Sequence, residues 1–250
     1  MPDASSDNPT VSQSSLKHAL TEIGIEPGMT LAVHSSLRSI GWVQGGAGTV
    51  VQALIDSVGQ QGTIVMPAAT PIEHDEQSST LPPVFNPNST PTTLGAIPET
   101  LRTWPGTLRS DHPLESVCAR GPKAANIVQD HPLAYSEGPG SPYAKVSEAG
   151  GWVLLLGVGF NRCTALHYAE SLVTKHRKTE ARYTAIEDGQ TVWKSAPNVA
   201  DDNDTHFPVI GERFMATGQA RTPLVGNAPA MLFRMQELVE FACEYFEQTL

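Results

Sequence analysis

The segment Trp152-Val153-Leu154-Leu155-Leu156 is apolar without interruption and ends at Gly157. So short a run without alternation marks a strand covered on both faces, because a strand with one wet face would alternate polar and apolar residues. A sheet of such strands needs helices above and below it, and parallel neighbours need crossover connections. A chain of 250 residues, 40% of them apolar, can supply those layers.

The crossover is visible near the N-terminus. Leu16, Ala19, Leu20 and Ile23 recur at helical spacing and stop at Gly24. Thr30 to His34 then reads as a strand ending in Ser35-Ser36, Thr49 to Val58 as a helix ending at Gly59, and Thr63 to Met66 as the next strand. This β-loop-α-β unit implies a parallel or mixed sheet. Residues 67–93, rich in Pro, Ser and Thr, read as a long loop. Further helices are expected near Leu94–Trp104, Pro122–Gln129, Pro142–Ala149 and Thr164–Thr174, with a strand over Ser116–Arg120. Asp188-Gly189 between Tyr183–Ile186 and Thr191–Lys194 signals a hairpin. Residues 196–208 are polar and acidic and read as an excursion from the core, and Phe233–Phe246 as a closing helix. The expectation is a single α/β domain over residues 1–250, with 1–11 a disordered arm and 187–215 an acidic excursion.

A net charge of −10 disfavours nucleic acid and anionic lipid and favours cationic ligands, although solubility alone also accounts for such a charge. The polar stretch Met1–Ser15 lacks the apolar core of a secretory signal, and the longest apolar run, Trp152–Phe160, is far short of the roughly 20 residues of a membrane span. A cytoplasmic protein with no membrane partner is expected. Cys118, Cys163 and Cys243 form no C-x-x-C pair and read as buried thiols, so neither a disulfide framework nor a metal site is indicated.

Four segments could carry chemistry. Thr164-Ala165-Leu166-His167-Tyr168-Ala169-Glu170 opens a helix directly after the buried strand, where ligands bind in α/β sheets, and places His167 and Glu170 on one helical face. A histidine accepts a proton near neutral pH, and a carboxylate beside it can orient the ring. By spacing alone a solvated pair on a capped helix is the favoured reading. His34-Ser35-Ser36-Leu37-Arg38, followed by Val43-Gln44-Gly45-Gly46, offers hydroxyls, a guanidinium and glycine N–H groups at a helix start, a combination that suits phosphate. Arg109-Ser110-Asp111-His112-Pro113 reads as a polar turn or a site. Glu187, Asp188, Asp201, Asp202 and Asp204 form an acidic run that is either a solvated face or a cation site.

The four segments occur in one order, together with Gly41, Gly62-Thr63, Met66-Pro67, Ser116, Gly138 and Gly140-Ser141-Pro142. In that order the chain resembles the aminoglycoside 3-N-acetyltransferases, over about residues 16 to 245. The resemblance implies a three-layer α/β/α fold with a mixed central sheet, distinct from the GCN5-related acetyltransferases. It also implies acetyl-coenzyme A as acetyl donor and, as acceptor, the 3-amino group of the 2-deoxystreptamine ring of an aminoglycoside antibiotic, whose acetylation confers resistance. His34, Ser35, Ser36, Leu37, Arg38, Val43, Ser110 and His112 would then lie near the coenzyme, and His167 and Glu170 near the reacting amine. Glu187, Asp201, Asp202 and Asp204, with Glu73, would bind the polycationic drug. Two rival readings stand beside it. One is an acyl-enzyme mechanism with Ser35, Ser36 or Cys163 as nucleophile, and the other a non-catalytic binder of cationic small molecules. The oligomeric state is left open between monomer and homodimer.

Overall fold

The computed structural model describes residues 10–70, 81–200 and 205–250. In chain order they form α1 (Gln13–Glu22), β1 (Thr30–Ser35), α2 (Leu37–Ile40), α3 (Gly46–Val58), β2 (Thr63–Pro67), α4 (Ala96–Arg102), β3 (Leu108–Arg109), β4 (Val117–Arg120), α5 (Ala124–Val128) and α6 (Pro142–Glu148). There follow β5 (Trp152–Leu156), a 3-10 turn (Phe160–Arg162), α7 (Ala165–Leu172), β6 (Lys178–Glu187), β7 (Gln190–Val199), α8 (Phe207–Ala216), β8 (Leu224–Val225), β9 (Ala228–Arg234) and α9 (Met235–Thr249). Among the described residues, seven strands make one mixed sheet in the order β3-β4-β2-β1-β5-β9-β8, and β6 and β7 pair apart from it. β1 is central and parallel to both neighbours, with Leu31 opposite Ile64 of β2 and Val33 opposite Leu154 of β5. β4 and β9 run antiparallel to β2 and β5.

The pleat sorts successive side chains into two cores. Leu31, Val33, Ile64, Met66, Leu154 and Leu156 pack with Leu16, Leu20, Val50, Leu54 and Leu101 of α1, α3 and α4. Ala32, Val65, Val153, Leu155 and Phe233 pack with Tyr143, Leu166, Phe214 and Leu238 of α6, α7, α8 and α9. Both faces of β5 are thus dry, which accounts for its unbroken apolar sequence. The result is the expected three-layer α/β/α architecture.

Several boundaries differ from expectation. The closing helix begins at Met235 rather than Phe233, because Phe233 belongs to β9 and pairs with Val153. The hairpin strands are ten residues each, so 196–199 of the expected excursion continue a ladder that ends with Val199 opposite Lys178. Residues 207–216 form α8, whose Phe207, Ile210 and Phe214 are buried. Val11, assigned to a disordered arm, is buried and bridges Val43.

Two glycines permit close approaches. At Gly157 φ is +71°, and an added Cβ would lie 2.5 Å from the Ser39 Cβ, so only glycine turns the chain there. At Gly211 an added Cβ would lie 2.2 Å from the Phe160 ring, which lets α8 sit directly on that ring.

Candidate active site

Ligands of open α/β sheets bind beyond the carboxyl ends of the parallel strands. A cavity of about 610 Å³ lies there, lined by His34 and Ser35 at the end of β1, Pro67 at the end of β2, and Val158, Arg162, Thr164 and His167 after β5. Glu115, Glu137, Asn198 and Val199 also line it, as do Thr93 to Gly95 and Pro98.

His167 reaches the wall through a short, specified path. Gly157 ends β5, one 3-10 turn follows, and α7 starts after Thr164 with Ala165, Leu166 and Ala169 buried in the core. His167 Nδ1 stands 3.3 Å from Glu170 Oε2, and the edge of Phe207 meets the imidazole at 4.7 Å between centroids. An Nδ1–H donated to that carboxylate leaves Nε2 as the proton-accepting nitrogen. The Glu170 side chain is only 3% exposed and does not line the cavity, so it meets the cavity wall through its contact with His167.

His34 is buried, and desolvation lowers its pKa to about 4, so the ring is neutral at pH 7. Its Nε2 and the Ser35 Oγ are buried without a hydrogen-bond partner. Two unspent polar atoms on one cavity wall suit a polar ligand. The neighbouring residues are engaged elsewhere. Ser36 caps α2 by accepting the Ser39 N–H, Leu37 packs on the core, Val43 is buried against Val11, and Arg38 is exposed. None of these four lines the cavity.

Ser110 and His112 are buried and do not line the cavity. The Ser110 hydroxyl accepts the Val117 N–H and donates to His131 Nδ1 at 2.8 Å, while His131 Nε2–H donates to the Ser136 carbonyl at 2.7 Å. His112 Nδ1 accepts the Glu115 N–H at 2.9 Å, and its ring lies tilted against His131 at 4.7 Å between centroids. Burial lowers the His112 pKa to about 4, and burial with the neighbouring His112 lowers that of His131 to about 3. Glu187 is at the hairpin tip, exposed and paired with Lys194 at 2.7 Å, and it does not line the cavity. Asp201, Asp202, Asp204 and Glu73 lie outside the described residues.

Cys163 is buried and its thiol is pushed up to about 12, which removes the thiolate a nucleophile needs. Ser35 Oγ, having no partner, is not hydrogen-bonded to His167. Sequence reasoning missed Glu115, Glu137, Arg162 and Asn198. The glycine-rich turn beside Glu137 signals a loop, but no periodicity says which of its side chains meets a cavity. Among the described residues no helix is long and apolar enough to cross a membrane.

The chain matches the sequence profile of the aminoglycoside 3-N-acetyltransferase family over residues 32–247. It is 37% identical over 248 residues to an SPbeta prophage-derived aminoglycoside N(3')-acetyltransferase-like protein, YokD, of Bacillus subtilis (strain 168), covering 93% of this chain and 91% of that one. Among solved structures, AAC-IIIb in binary complex with CoASH superposes with a TM-score of 0.87 at 32% identity, covering 96% of this chain and 97% of that one. AAC-VIa bound to sisomicin superposes with a TM-score of 0.86 at 30% identity, covering 96% and 98%.

Proposed function

The chain belongs to the aminoglycoside 3-N-acetyltransferase family, and from that premise we propose that it moves the acetyl group of acetyl-coenzyme A to the 3-amino group of the 2-deoxystreptamine ring of an aminoglycoside, which confers resistance. Acetyl-coenzyme A supplies a thioester whose carbonyl carbon is open to a neutral amine and closed to an ammonium. As the N–C bond forms and the C–S bond breaks, this chain must take a proton from the acceptor nitrogen, hold that nitrogen in place, and let the coenzyme A sulfur leave as the free thiol, the second proton of the ammonium going to solvent.

His167 is the base in this reading, and the observation that carries it is its Nδ1 contact with the buried Glu170 while the ring lines the cavity. The carboxylate fixes ring orientation and tautomer and stabilises the imidazolium that forms once Nε2 takes the proton. The 3.3 Å separation is long, as catalytic hydrogen bonds often are before substrates bind. In the same cavity, Ser35 Oγ and the neutral His34 ring fit the polar atoms of the donor, because neither Ser35 Oγ nor His34 Nε2 is spent inside the protein. The acyl-enzyme alternative loses support from the protonated Cys163, from the capping role of Ser36 and from the separation of Ser35 from His167.

The test is a thiol-release assay on His167→Ala. Turnover should fall by at least the ~10²-fold typical of a lost general base, with acetyl-coenzyme A affinity within about twofold of wild type. Turnover near the wild-type rate would remove His167 from this role, and a burst of coenzyme A without acceptor would restore the acyl-enzyme.

A further inference from the structure

Glu137 is 5% exposed, lines the cavity, and sits in a tight turn in which Tyr135 adopts φ +51° and its carbonyl accepts the Gly138 N–H at 2.6 Å. One carboxylate oxygen, Oε2, accepts the Ser136 hydroxyl at 2.5 Å. The Ser136 Oγ in turn accepts Asn198 Nδ2 at 2.9 Å, and the Tyr135 N–H donates to the Pro197 carbonyl at 2.7 Å. The turn is thus tied to β7 from two sides, and the carboxylate is fixed before any ligand arrives. No cation of the described residues pairs with it. Arg162 lines the same cavity but lies beyond ion-pair distance.

A buried carboxylate held by one neutral donor is expensive unless a positive charge compensates it. The charge can come from the ligand, since the same cavity is lined by His34, 4% exposed, whose buried Nε2 has no partner, and is therefore built for polar occupants. We propose that Glu137 anchors a second ammonium group of the acceptor, so that the enzyme selects polyamines over monoamines. This rests on the acetyltransferase reading above and assigns the acceptor's second contact. Ser136 and Asn198 are positioning residues for the anchor.

The experiment is calorimetry of sisomicin binding to wild type, Glu137→Gln, Ser136→Ala and His167→Ala, alongside KM for acetyl-coenzyme A. Glu137→Gln keeps the shape of the side chain and should weaken sisomicin by at least about tenfold, as loss of one partner of a desolvated charge pair does. Ser136→Ala should weaken it by a smaller factor, and acetyl-coenzyme A KM should stay within about twofold for both. Sisomicin bound equally by wild type and Glu137→Gln, whether tightly or not at all, would overturn the anchor. If Glu137→Gln does not fold, unchanged binding by Ser136→Ala overturns it instead. His167→Ala separates the two readings, because it should bind sisomicin and fail to turn over. Retained turnover there would remove the base and leave the anchor standing.

Discussion

Glu170 does not line the cavity, and in the proposed reading its effect passes through the His167 imidazole. That arrangement makes a specific prediction. Glu170→Gln should lower turnover, and combining it with His167→Ala should add little beyond the histidine change alone, because the two act as a unit. The acid limb of its kcat/KM profile should also move to lower pH, since the imidazolium loses its anionic neighbour. Additive losses with an unmoved profile would assign the two residues separate roles. The pair was legible in the sequence because His167 and Glu170 are three residues apart on a helix that follows a buried strand. Glu137, Glu115, Arg162 and Asn198 were not, because they reach the cavity from four different segments and only the folded chain brings them together. Ser36, Ser110 and His112 illustrate the reverse case. Polar residues in a loop look chemical in sequence, yet here a cap, a ladder N–H and a buried histidine pair occupy them.

Elements whose burial is uniform were the easiest to read. β1, β2 and β5 show apolar runs because helices cover both faces; α3 stops at Val58 before Gly59 as expected but starts at Gly46 rather than Thr49, and α7 spans Ala165–Leu172, inside the expected Thr164–Thr174. β9 was missed since Pro229 and small alanines interrupt its pattern, and the hairpin was shortened because its strands stand off the core with little alternation. Helix glycines test the packing account directly. Gly211→Ala must push α8 away from Phe160 and should cost about 1–3 kcal/mol in a denaturant titration, the range of overpacked cores. Gly48→Ala in α3 meets nothing within 4 Å and should stabilise by roughly 0.5–1 kcal/mol, the helix preference for alanine. Equal effects at the two positions would contradict the close approach at Phe160.

At the scale of the whole molecule, three neutral histidines, His34, His112 and His131, are buried near the carboxyl ends of the central strands. Unfolded histidine binds a proton near pH 6.5, whereas these remain neutral until about pH 4, 4 and 3. The unfolded chain therefore gains protons first, and stability that is complete above pH 6.5 is lost as pH falls toward 4. At pH 5 each histidine should account for about 2 kcal/mol of that loss. Chemical unfolding followed from pH 8 to 5 should show the decline, and His131→Asn should flatten it, while a stability independent of pH over that range would show that the three take up protons without unfolding. The β6–β7 ribbon carries a different consequence. It forms its own sheet and reaches the cavity only through Asn198 and Val199 among its residues, whereas His167 and Glu170 ride on α7 beside the central sheet. The ribbon is in effect a module hung beside a separate chassis. Because its ladder is separate, exchanging the ribbon should alter the Asn198 and Val199 stretch of the cavity lining while β1, β5 and α7 keep their register.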